Sequence, residues 1–142
     1  MTSYAHQQAK ANIYKQQNVM TAAPGELTLM LYDGCVKEVK HMRLYIETGE
    51  IEKANDAALQ AQAIISELMR TLNMQVEMSK DLYRLYEYIL GKLVYANIHK
   101  KAEKTDIVLE LLAELRDAWQ QAVRANRSQV IDRKSTRLNS SH

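Results

Sequence analysis

From Pro24 onward, the apolar positions of the chain recur at helical intervals. Pro24 suits a first helical residue, where its missing N–H would have no intrahelical partner, and Glu26 in the same turn suits the positive end of the macrodipole. Leu27, Leu31, Cys35, Val39, Met42 and Ile46 continue at steps of four and three, and Gly49 supplies a C-terminal stop. The pattern predicts a first helix over about 24–48. Next come Ile51, Ala54, Ala58, Ala61, Ile65, Leu68 and Leu72 at alternating steps of three and four, a heptad seam whose alanines admit close approach of a neighbouring helix. This second helix closes at Asn73, ahead of a connector over 73–79. Ser79 and Thr105 read as N-caps of a third helix over about 80–101 and a fourth over about 106–126.

The two ends differ from this body. Residues 1–23 are polar, with a scatter of Tyr4, Ile13, Tyr14, Val19 and Met20 but no sustained period, and read as an N-terminal arm. The stretch SQVIDRKSTRLNSSH over 128–142 has no apolar stripe and reads as a disordered tail; its composition from about Asp132 suggests a sequence-assembly scar rather than part of the gene. Residues 24–127 are then one helical domain. Short connectors between four helices predict an all-α fold, an antiparallel four-helix bundle with an N-terminal arm.

Composition narrows the function classes. Four glycines and one proline in 142 residues cannot punctuate an all-β sandwich or a chain of βαβ units. The formal net charge of +2 resides in Arg133, Lys134, Arg137 and Asp132 of the tail; without them basic and acidic residues balance, so no nucleic-acid partner is expected. With no apolar run of 18 residues and no charged start before an apolar signal region, the chain is expected to be cytoplasmic and not membrane-embedded.

Chemistry-bearing motifs are sparse. A bundle di-metal site needs two Glu-x-x-His units plus two further inward glutamates, and only Glu38-Val39-Lys40-His41 is present. Cys35 sits on an apolar stripe with no cation or histidine placed to lower its pKa. The glycines are scattered singly, whereas a phosphate loop clusters them. No catalytic residue, metal or cofactor is expected, and an enzyme built on Glu38 and His41 stands as a rival reading.

Apolar excess is the informative feature. Between Leu82 and Ile98, only Arg84, Glu87, Gly91, Lys92 and Asn97 are neither apolar nor aromatic, more than the single stripe a bundle helix needs. An inward stripe through Leu82, Leu85, Ile89, Leu93 and Ala96 leaves Tyr83, Tyr86, Leu90, Val94 and Tyr95 in surplus. Extra core or a homodimer seam accounts for such a face, and a structural homo-oligomer or adaptor is therefore the alternative reading. Eight tyrosines, one tryptophan, seven methionines and no phenylalanine favour instead an adaptable surface that takes a partner helix in a groove.

Thr21 to Gly34, TAAPGELTLMLYDG, resembles the opening of the first helix in the flagellin export chaperone family, FliS. Tyr14, Ile64-Ile65-Ser66-Glu67-Leu68, Leu85-Tyr86-Glu87-Tyr88, Leu93 with Ala96-Asn97, and Trp119 match in the same order, so the resemblance spans about residues 11–126. Ala23 departs from it, since a serine often precedes the proline in the family. The resemblance implies a non-enzymatic cytoplasmic chaperone that binds the disordered C-terminal segment of flagellin, prevents early polymerisation and aids delivery to the flagellar type III export gate; the sequence leaves monomer and homodimer both open. It also implies that the arm packs near the client surface. Tyr14, Tyr32, Tyr83, Tyr86, Leu90 and Val94 are the expected client contacts, Glu87 and Lys92 are charged positions at the groove rim, and Trp119 is assigned to the core.

Overall fold

The computed structural model describes residues 25–140, and the side chains of residues 25–125. The arm over 1–23, with Tyr14, lies outside the described residues. Four helices follow in order: α1 (Gly25–Glu47), α2 (Ile51–Arg70), α3 (Glu77–His99) and α4 (Thr105–Ser140), with a short 3-10 turn, Ala102–Lys104, leading into the last. The fold is all-α. Each short connector reverses the chain, so successive helices run antiparallel; α1 packs closely on α2 and α4, α2 on α3, and α3 approaches α4 least.

Heptad steps define the core. On α1 the buried residues are Thr28, Tyr32, Cys35, Val39 and Met42. The stripe expected from sequence began at Leu27 and Leu31, but Leu27 is exposed and Leu31 only half-buried. A seam advancing four, three, four, three passes through Tyr32. On α3 the same rule buries Leu82, Tyr86, Ile89, Leu93 and Ala96, so Tyr86 takes the place expected of Leu85. The seam of α2 buries as expected from Ala54 to Leu72, while Ile51 in the first turn is exposed. Trp119 is buried, and its indole Nε1 donates to the Gly25 carbonyl at 2.9 Å, tying α4 to the start of α1.

The helix ends differ in part from the cap signals. Gly49 does close α1: with φ at 77° its amide bonds the Ile46 carbonyl, and the Glu50 amide bonds the Tyr45 carbonyl at 2.8 Å, a Schellman arrangement. Asn73 does not close α2, which ends at Arg70. Ser79 is not a cap, because α3 starts at Glu77 after Val76 and buries Ser79. Thr105 donates its hydroxyl to the Ala102 carbonyl at 2.7 Å, since the 3-10 turn feeds directly into α4. The fourth helix does not stop near residue 126 but continues to Ser140, where a disordered tail was expected. No proline or glycine lies between Thr105 and Ser140 to end it, and an apolar stripe is not required for a helix to propagate from a packed one.

Candidate functional site

Helices α2 and α3 each turn one flank of their core seam outward on the same side of the bundle. Residues one position past the core on α3 share that flank, since Tyr83 and Leu90 are seven apart and Val94 is one turn beyond Leu90. Facing them on α2 are Ser66, Met69 and Arg70. Together Ser66, Met69, Arg70, Tyr83 and Leu90 line an open cleft of about 330 Å³. The cleft extends into a longer apolar row. Lys100 donates from Nζ to Asn55 Oδ1 at 2.6 Å, which fixes the start of α2 beside the end of α3. Leu59 lies one turn from Asn55, and Val94 and Ile98 occupy the last two turns of α3; all three are exposed, Leu59 at 59% and Ile98 at 68%. Ten residues separate Leu59 from Met69, so the row is about 15 Å long at the helical rise.

Most charges around the cleft are neutralised locally, Glu87 excepted. Arg70 pairs with Glu67, Lys80 with Glu77 and Arg84 with Asp81, each three residues apart on its own helix and exposed. Such pairs contribute little stability, but they leave the cleft mouth without a strong net field.

Of the residues expected to meet a client, Tyr83 and Leu90 line the cleft and Val94 continues it. Tyr32 and Tyr86 do not reach it. Both have no exposed surface, and their hydroxyls hydrogen-bond to one another across the core between α1 and α3. Their phenol rings supply core volume and the shared hydrogen bond satisfies the polar tips, so neither offers area to a partner. On α2, Met69 and Leu59 went unremarked in the sequence, and Ser66 entered only as part of a family-like string, because they lie off the clean alanine seam. Their signal is positional: Leu59 and Ser66 are seven apart on one flank.

The other chemical candidates have plain surroundings. Cys35 is fully buried with its thiol 3.7 Å from the Ala61 carbonyl, and burial, with a smaller contribution from Glu38, pushes its pKa up to about 12. A neutral thiol of this kind is a small hydrophobe rather than a nucleophile. Glu38 and His41 lie 3.7 Å apart at a polar hollow shared with Tyr45, Lys53, Asp56 and Gln60. Among the described residues no three His, Cys, Asp or Glu side chains are grouped to hold a metal ion, and no helix is long and apolar enough to cross a membrane.

The family model described as "Flagellar protein FliS" matches residues 6–126, most of the chain. The chain belongs to the FliS family. Among curated relatives, the "Flagellar secretion chaperone FliS" of Bacillus subtilis (strain 168) is 41% identical over 114 residues, covering 80% of this chain and 86% of that protein. That of Salmonella typhimurium is 30% identical over 116 residues, again covering 80% and 86%. The FliS-like strings of the sequence fall mainly on the scaffold. Tyr32, Ile65, Leu68, Tyr86, Leu93, Ala96 and Trp119 are all buried, so these residues carry the family's fold, whereas the cleft is built from their neighbours.

Proposed function

We propose that the chain is a flagellar export chaperone that binds the disordered C-terminal segment of flagellin along the α2–α3 cleft. Binding holds the subunit back from premature polymerisation and aids its delivery to the flagellar type III export apparatus in the cytoplasm. The observation that carries this reading is the apolar row that runs from half-buried Met69, Tyr83 and Leu90 in the cleft to exposed Val94, Leu59 and Ile98, in a chain whose relatives are named flagellar secretion chaperones. Ordering a disordered segment costs roughly 1–2 kcal/mol per residue in backbone entropy. A single small pocket cannot offset that, and a continuous row that accepts the apolar face of a forming helix is the surface such a client needs. Tyr83, Leu90 and Val94 are the proposed contacts retained from the sequence, with Met69 and Leu59 added from α2. Tyr14 remains a proposed contact from the arm.

Polymerisation of purified flagellin, followed by light scattering, tests the reading. An equimolar amount of this protein suppresses filament growth, and the double variant Tyr83→Asp, Leu90→Asp loses that suppression while keeping its helical circular dichroism. Suppression that survives the double substitution excludes this cleft; no suppression by the wild-type chain excludes the function.

A further inference from the structure

Gly91 lies in the interior of α3 with nothing in the fold that requires a glycine there. It is exposed, its backbone is not among the positive-φ glycines, and a Cβ built on it meets no atom within 4 Å. A helix-interior glycine is destabilising relative to alanine, so the position carries a cost that neither packing nor conformation within the chain explains. Its neighbours on the helix surface, at three and four residues either side, are Glu87, Tyr88, Val94 and Tyr95. The last three are exposed apolar or aromatic side chains. Two of them are braced: Lys92 Nζ lies 5.4 Å from the centroid of the Tyr88 ring, and the Tyr95 and His99 rings sit 4.2 Å apart. Gly91 thus leaves a bare patch on the outward face of α3, flanked along the helix by these side chains, the kind of gap that a side chain from a facing helix fills in knobs-into-holes packing.

Glu87 is the remaining flanking side chain. Unlike Glu67, Glu77 and Asp81, which pair with Arg70, Lys80 and Arg84, Glu87 has no ion pair among the described residues. It stands one turn from Gly91, between Tyr83 and Leu90 in the apolar row. We propose that Gly91 and Glu87 set the register of the client: one bulky apolar side chain of an amphipathic helix seats over Gly91, and a lysine or arginine one turn from it on that helix meets Glu87. The inference rests on the chaperone reading and adds the chemical signature that the bound segment must carry. Burial of the knob supplies contact area, and the charge pair penalises a helix shifted by a turn, because the cation then faces apolar rings.

The full-length chain is titrated calorimetrically with a synthetic C-terminal segment of flagellin, using the variants Gly91→Leu and Glu87→Lys. Leucine is a strong helix former, so G91L melts at or above the wild-type temperature, and a loss of binding cannot be ascribed to unfolding. The expected result is a loss of affinity of about tenfold for each variant, a size typical of one blocked anchor or one reversed contact charge. Peptides in which each lysine or arginine is changed in turn to glutamate are then titrated into E87K. One of them restores affinity to within about twofold of the wild-type pair, as expected of two directly coupled sites. Wild-type binding that neither variant weakens overturns the inference while leaving the chaperone reading in place, and so does self-association through this face that G91L abolishes without changing peptide affinity. Failure of the wild-type chain to bind the segment overturns both.

Discussion

Tyr32 and Tyr86 bring two phenol hydroxyls into an otherwise apolar interior, and each gives the other a hydrogen-bond partner. Replacing either by phenylalanine is expected to cost about 1 kcal/mol, and the double variant to show a coupling of about 0.5 kcal/mol or more in a denaturant-melting cycle. Neither change alters client affinity if both rings are scaffold. The pair also explains why the sequence was misleading here: leucine outranks tyrosine as a core residue by composition, so Leu31 and Leu85 drew the stripe, while the strict four-three spacing runs through the tyrosines. Cys35 was legible from its place on the stripe. Its thiol, pushed up to about 12 by burial, stays protonated in the folded state where an unfolded chain releases the proton above about pH 9. Its contribution to stability is therefore intact below pH 9 and is lost as pH climbs toward 12. Thiol labelling at pH 8 should be slow on the folded protein and fast in denaturant.

At the scale of the helices, periodicity placed all four, and their ends were harder to read. Gly49 announced itself because a left-handed C-terminal residue favours glycine. Gly49→Ala is expected to lower stability by about 1 kcal/mol in thermal melts. Lys100 gave no such sign. It closes α3 at φ 51° although it is not glycine, and its Nζ bonds Asn97 Oδ1 and the Asn97 carbonyl nearby and Asn55 Oδ1 across the fold, a long-range partner that no local sequence rule supplies. Lys100→Ala keeps the backbone strain and loses those bonds, so it should be about 1 kcal/mol less stable than Lys100→Gly, which relieves the strain. Ser79 and Thr105 illustrate the opposite error. Both are good N-cap residues by type, but tertiary packing starts α3 three residues early and inserts a 3-10 turn before α4. The extension of α4 to Ser140 was hidden because a stripe reports packing rather than helicity.

At the scale of the whole molecule, ion pairs among the described residues bridge α1 and α4, Arg43 with Asp106 and Arg116 with Asp33. All four side chains are substantially exposed, so Arg116→Ala should cost less than about 1 kcal/mol and raised salt should change the melting temperature little. Stability rests instead on the four-helix seam, and function on what the seam leaves outside. The surplus of apolar residues on α3 was legible as a surplus; its partner on α2 was not, because a groove belongs to two helices and neither sequence stripe describes it alone. Tyr83 and Leu90 meet Ser66, Met69 and Arg70 only once the antiparallel pairing of α2 and α3 is fixed. The most direct test is calorimetric titration of the full chain with the C-terminal segment of flagellin at several temperatures, with circular dichroism of the same mixtures. A client that folds into the α2–α3 row gives micromolar or tighter binding, a negative heat-capacity change and added helix. Absence of binding at micromolar concentrations, or binding with neither a heat-capacity change nor added helix, contradicts the account.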